Sequence, residues 1–279
     1  MEQIKPFVRK LIAILNIIKL RTFLRHVEFE IVEHCNLNCK ACSHFSNICE
    51  KKFVDARVIG SHFNKISKLF GFTYEACILG GEPLLHPDII DIIEYTRMRF
   101  PFSRIKLVTN GLLLDKMSDA FFKSCHKNKI QIFVTKYPPI ENKIEKIKEL
   151  LYKFKIKYFI SPVVRTFTAK LNPEGVLDKY ETFKNCRHRE CTMLRDDKIY
   201  LCPICAYIDK YNKYFNKNIP EPKGINIYSS SAKQILNYLK NPEETCKYCT
   251  RISNYVDWCC SEKPKETDWY GIQNGKKPE

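Results

Sequence analysis

Three cysteines within one eight-residue segment, Cys35-Asn-Leu-Asn-Cys39-Lys-Ala-Cys42, constrain this chain more than any other feature. They directly follow an alternating run, Val27-Glu28-Phe29-Glu30-Ile31-Val32-Glu33, that reads as a half-buried strand. Cysteine thiolates hold iron–sulfur clusters, usually four to a cluster. Three on one short loop can ligate three irons of a cubane and leave the fourth open to a small molecule. With 14 cysteines in 279 residues, chance would place partners at both +4 and +7 of some cysteine only about 0.03 times per chain. Buried core cysteines, the ordinary alternative, would not also bring Gly80-Gly81-Glu82-Pro83 to the end of the next apolar run, Ala76-Cys77-Ile78-Leu79.

A third run ends in Val108-Thr109-Asn110-Gly111. The three segments together resemble the motifs of the radical S-adenosylmethionine (SAM) superfamily, over roughly residues 27 to 170 and more loosely to about 270. In that family the cysteine motif holds a 4Fe–4S cluster and the glycine-rich segment binds SAM.

Hydrophobic content of 44% and charged content of 28% describe an ordinary globular protein with ample length for a packed core. The net charge of +16 raises the question of nucleic acid. Lysine is spread over most helical segments rather than gathered in a stripe, and no nucleic-acid-binding motif accompanies it, so specific nucleic-acid binding is not expected. The apolar stretch 11–18 is short, flanked by basic residues and without a cleavage site. Cysteine clusters without an export signal point to metal binding in a reducing cytoplasm. Residues 5 to 25 read as a basic helix, packed on the catalytic domain or touching an anionic membrane or partner protein.

From residue 27 strand-like runs at 27–33, 75–79, 104–109, 130–135 and 156–164 alternate with helical patterns at about 55–70, 87–100, 115–127 and 141–155. Asp55, Pro87-Asp88 and Asp115 are candidate helix starts. This alternation predicts an α/β fold with parallel strands, either doubly wound or barrel-like. The resemblance chooses a partial (β/α)6 TIM-type barrel with a small cysteine-rich C-terminal appendage. The expected organisation is an amphipathic helix at 1–26, the barrel at 27–180 and an iron–sulfur domain at 181–279.

Active residues of such barrels lie on loops at the C-terminal ends of strands, so all the motifs fall on one face. The resemblance implies that Cys35, Cys39 and Cys42 ligate the cluster and leave one iron for the amino and carboxylate groups of SAM. Gly80 and Gly81 let backbone approach the methionine moiety, Pro83 completes the motif, and Glu82 offers a carboxylate to the SAM ammonium. Asn110 and Thr135, with Lys136, are candidate contacts to the ligand's polar end or ribose. The family's aromatic residue before the third cysteine is here Ala41, so His44 or Phe45 is expected to cover the adenine.

A second cysteine set follows the barrel: Cys186, Cys191, Cys202, Cys205, Cys246, Cys249, Cys259 and Cys260. It resembles the SPASM/twitch appendage of radical SAM enzymes, whose auxiliary 4Fe–4S cluster would take Cys202, Cys246, Cys249 and either Cys186 or Cys191. Four thiolates with C-x2-C spacing equally suit zinc. The pattern's glycine before Cys202 is here Asp197. Cys49, Cys77 and Cys125 read as ordinary buried cysteines; the C-terminal aromatics read as packing of a small metal-stapled domain or, alternatively, as a stacking surface for a sugar ring or nucleobase. The resemblance implies reductive cleavage of SAM and hydrogen abstraction from a substrate by the 5′-deoxyadenosyl radical. A flavodoxin or ferredoxin would serve as electron donor. The expected substrate is a small alcohol or sugar, which the enzyme would oxidise; the alternative is a maturase acting on a peptide or protein partner.

Overall fold

The computed structural model describes residues 22–270. Most of the expected N-terminal helix lies outside the described residues. Its last part, from residue 23, belongs instead to strand β1 (Phe23–Val32). Leu24 and Val27 are driven into the core there, and pairing with the next strand begins at Phe23 opposite Phe72.

Strand and helix then alternate as the periodicity requires. The order is β1, α1 (Ala56–Leu69), β2 (Phe72–Gly80), α2 (Ile89–Arg99), β3 (Arg104–Thr109), α3 (Asp119–Lys127), β4 (Ile130–Val134), α4 (Ile144–Lys153) and β5 (Lys157–Ile160). Each helix buries one stripe: in α1, Ile59, Phe63 and Ile66 recur at helical spacing. Phe63 meets Phe29 of β1 edge-on at 4.6 Å. Asp55 caps α1 by accepting the Arg57 N–H. Asp115, expected to start α3, does not: it lies in a short 3-10 turn and pairs with Lys143 at 3.3 Å and Lys146 at 3.5 Å. Ser118, held in extended backbone next to the helix, caps α3 instead by accepting the Phe121 N–H.

The main sheet runs in the order β5-β4-β3-β2-β1-β7-β8-β9. Strands β1 to β5 are parallel, and β7 (Met193–Arg195) lies parallel to β1. Strands β8 (Lys198–Tyr200) and β9 (Ile225–Asn226) follow antiparallel. Strand β6 (Thr166–Leu171) does not add to β5; it pairs antiparallel with β10 (Cys249–Asp257) in a separate two-stranded ribbon. The barrel is therefore partial and open. Three further helices, α5 (Lys179–Lys184), α6 (Pro203–Phe215) and α7 (Ala232–Tyr238), complete the described residues.

The β7–β8 hairpin turns on Asp196 and Asp197, both with positive φ (46° and 63°), as a two-residue hairpin loop of the primed type demands. Asp197 sits in the left-handed backbone region that favours glycine, where the resemblance expected one, and its carboxylate meets His62 Nε2 at 2.6 Å. Arg195, buried beside this turn, pairs with Asp209 of α6 at 2.8 Å and stands 3.6 Å from Glu30 of β1. Glu33 is held by Lys52 at 2.7 Å and by Lys210 of α6 at 2.8 Å. Burial pushes Glu30 up to about 8 against the opposing charge of Arg195. Arg195 ties β7 to α6 through Asp209, and Lys210 ties α6 to Glu33 just after β1. Among the described residues no helix is long and apolar enough to cross a membrane.

Candidate functional site: a cysteine-lined cavity at the strand ends

Parallel strands deliver their following loops to one end of the sheet, and a cavity of about 370 Å³ opens there. Cys35, Cys39, Cys42, Gly80, Gly81, Asn110 and Thr135 all border it, so the sequence-predicted positions from four strand ends meet. Strand β6 also borders it, through Thr166, Phe167, Thr168 and Lys170, as do His44 and His188.

The glycine pair has a tighter reason than access for a ligand. A Cβ on Gly80 would lie 2.2 Å from the Val32 carbonyl oxygen, and one on Gly81 would lie 2.0 Å from that of His34. Gly81 N–H donates to Val32 O at 2.7 Å, and Glu82 N–H to His34 O at 3.1 Å. The glycine loop thus extends β2 against the segment entering Cys35 and fixes where that cysteine starts.

Glu82, fully buried, braces this loop from behind. Its Oε1 accepts the Leu84 N–H at 3.0 Å and the Thr109 hydroxyl at 2.6 Å, and its Oε2 accepts the Asn110 N–H at 2.8 Å. Neither Glu82 nor Pro83, which is buried at the start of a 3-10 turn, borders the cavity. Burial raises the Glu82 carboxyl to about 7 despite those donors. Asn110 bridges two loops, its Nδ2 donating to Asn36 Oδ1 at 2.7 Å and reaching Cys35 Sγ at 3.6 Å.

A residue far along the chain closes the site. The Trp258 indole N–H donates to Cys39 Sγ at 3.2 Å. The backbone around it zips onto the cysteine loop, Lys40 N–H to Cys259 O at 3.0 Å and Ser261 N–H to Asn38 O at 2.8 Å. Trp258 stacks on Tyr137 at 5.5 Å, and Tyr137 meets Phe167 edge-on at 5.6 Å. Tyr137 and Phe167 of this set border the cavity, as does Ala41, which sits in the left-handed region at φ 53°. Phe45, one of the two expected adenine covers, is instead wholly buried and stacked on Trp269; His44 does line the cavity. Trp269 is core, its indole N–H donating to Cys42 O at 2.9 Å.

The donor set suits a cationic cluster. Burial pushes the Cys35 thiol up to about 12 and raises Cys39 as well. Burial also acts upward on Cys42, but the hydrogen bond and charge of His44 outweigh it and hold that thiol below its usual range. Buried thiols of this kind ionise when a metal takes the place of the proton.

The second cysteine set also gathers. Cys249, at the start of β10, lies within electrostatic reach of Cys202, Cys246, Cys186 and Lys170. Cys202 caps α6, accepting the Cys205 N–H at 3.5 Å. Cys205 itself hydrogen-bonds with Cys202 and Cys246, a position the sequence reading did not give it. The signal was present: Cys202-Pro-Ile-Cys205 has the same C-x2-C spacing as Cys246-Lys-Tyr-Cys249. Cys191 borders a different cavity.

An open α/β barrel with clustered thiols and a glycine loop at its strand ends defines an iron–sulfur enzyme. The profile of the radical SAM superfamily matches residues 29–153. The probable GTP 3′,8-cyclase of Methanocaldococcus jannaschii is 31% identical over 253 residues, covering 82% of this chain and 81% of that protein. A second probable GTP 3′,8-cyclase, from Methanococcus maripaludis, is 30% identical over 154 residues, or 52% of this chain and 50% of that one. The crystal structure of BtrN in complex with AdoMet and 2-DOIA shares the fold, with TM-score 0.56 and 18% identity over 87% of this chain and 97% of that one. The chain belongs to the radical SAM superfamily, whose cofactors are a 4Fe–4S cluster and SAM.

Proposed function

We propose that Cys35, Cys39 and Cys42 hold the SAM-cleaving cluster and that the substrate is a small molecule of the nucleotide class, attacked at a carbon of its sugar. The observation that carries this is the part of the cavity lining given by β6, a row of hydroxyls and one cation (Thr166, Thr168 and Lys170) ending beside the second cysteine group. Hydroxyls and an ammonium suit sugar oxygens and phosphate. The similarity to proteins named GTP 3′,8-cyclase favours a nucleotide over the free sugar or alcohol expected at first, while keeping a sugar carbon as the point of attack.

Held by Cys35, Cys39 and Cys42, a reduced 4Fe–4S cluster would supply the electron for reductive cleavage of the 5′ carbon–sulfur bond of SAM, and so the means of hydrogen abstraction from the substrate. The protein's own part is placement. Gly80, Gly81 and Asn110 set the cysteine loop, while Tyr137 and Trp258 keep water from its flank. Thr135 and Asn110 offer polar contacts at the strand ends, and Lys170 offers a positive charge to the substrate. We assign an auxiliary 4Fe–4S cluster to Cys186, Cys202, Cys246 and Cys249, with Cys205 as a fifth thiol in reach, and electron supply to a flavodoxin or ferredoxin.

The test is release of 5′-deoxyadenosine by the anaerobically reconstituted, reduced protein with SAM and a panel of GTP, ATP, nucleotide sugars and free sugars. Release raised several-fold by nucleotides, and lost in Lys170→Met, is expected. Stimulation by free sugars or alcohols alone would overturn the nucleotide assignment.

A further inference from the structure

Strands β1 and β2 pair in parallel with His26 opposite Glu75 and Glu28 opposite Cys77. Alternate residues of a strand share a face, so all four side chains converge on one side of the sheet. Glu75 Oε1 lies 2.9 Å from His26 Nδ1 and 3.8 Å from Cys77 Sγ, and the thiol lies 4.0 Å from the same ring nitrogen. The three donor atoms all fall within 4.8 Å of one another. Such separations are those between ligands around one small cation with bonds of about 2.0–2.3 Å.

The surroundings are those of a supported ligand set. Glu28 Oε1 stands 3.1 Å from the other ring nitrogen, His26 Nε2, the position from which a carboxylate orients a metal-binding imidazole. Glu28 is 8% exposed, and its Oε2 is buried without a hydrogen-bond partner. The far oxygen of Glu75 is held by Lys106 at 2.6 Å and approached by Arg104 at 3.6 Å, which leaves Oε1 turned to His26 and Cys77. Replacing the thiol proton and the second imidazole proton by a divalent cation leaves the net charge of the group unchanged. His26, Glu28 and Glu75 border a cavity of about 810 Å³, together with Lys106, Gln131 and Phe133.

We propose that His26, Glu75 and Cys77 bind one zinc ion, with Glu28 orienting the imidazole and an oxygen of water or of a ligand in the cavity completing the tetrahedron. Zinc accepts nitrogen, oxygen and thiolate donors together, and three protein ligands with an open position are the pattern of a reactive zinc site. None of the three residues belongs to either cysteine group.

The test adds zinc sulfate to the iron-reconstituted holoprotein, removes the excess, and reads zinc content with X-ray absorption at the zinc edge. About one zinc per chain with one sulfur and three nitrogen or oxygen neighbours is expected. His26→Ala and Cys77→Ser should lose that zinc with iron content unchanged, and Glu28→Gln should weaken binding about 10- to 100-fold. No retained zinc, a shell of three or four sulfurs, or zinc indifferent to these substitutions overturns the proposal. Should a variant also lose iron, the sulfur count in the unmodified protein decides alone.

Discussion

The two cysteine groups are assembled in opposite ways. Cys35, Cys39 and Cys42 come from one loop and need the fold only to orient them, through the backbone of Gly81, the amide of Asn110 and the indole of Trp258. Cys186, Cys202, Cys205, Cys246 and Cys249 come from separate turns, a helix start and a strand start, and need the fold to bring them together at all. On the assignment proposed above, the first group's three thiols would keep a coordination position for a small molecule, whereas the second, with more than four, could close a metal completely. Three thiols of one loop can be written into a few consecutive residues, whereas the second group depends on the whole C-terminal half.

Removing one thiol should separate the groups most sharply. Cys39→Ala should abolish 5′-deoxyadenosine formation and remove about four irons, leaving those of the second group; retained turnover would end the assignment. Gly81→Ala drives a Cβ into the His34 carbonyl, so the loop entering Cys35 must move. A loss of about 3 kcal/mol or more in a denaturant melt is expected, with selective loss of iron from the first group.

The buried charges packed between β1, β7 and α6 give a pH signature. Glu30 is raised from its ordinary value to about 8, so its stabilising share is full below the ordinary carboxylate range and is lost as pH rises through about 8. Glu30→Gln should therefore gain stability relative to the parent across that window, by a few kcal/mol at the alkaline end; a pH-independent difference would contradict it. Smallest is Trp258→Phe, which removes the N–H···S bond to Cys39. A thiolate losing a bond of about 1 kcal/mol should lower the first cluster's potential by roughly 40 mV in a redox titration, with the second cluster unmoved.

Much of the barrel was legible because its signals are local. Periodicity placed β1 to β5 and the intervening helices, Asp55 marked the start of α1, and parallel topology alone put Cys35, Gly81, Asn110 and Thr135 on one face. Where the sequence misled, a distant partner or a competing local choice decided. Ser118 outcompeted Asp115 as a cap because it stands directly before the helix. No residue in 156–171 announces that β6 will leave the sheet for β10. Trp258 meets Cys39 across 219 residues, and nothing in its neighbourhood marks it as a contact of the cysteine loop. Cys77 is buried as the sequence reading expected; its neighbours His26, Glu28 and Glu75 come from pairing across β1 and β2, which no local pattern shows.

The β6–β10 ribbon has a consequence for how such a chain can vary. Leu171 pairs with Cys249 at one end and Thr166 with Asp257 at the other, and Trp258 follows immediately. Five residue steps of β6 span roughly 17 Å, so the ribbon is a spacer that sets how far the second thiol group stands from the first. Side chains facing the cavity can be exchanged freely without altering that interval. Adding two residues to β6 would stretch it by about 7 Å, pulling Trp258 off Cys39 or Cys249 out of its group. Length in this short strand is held by the two sites it separates.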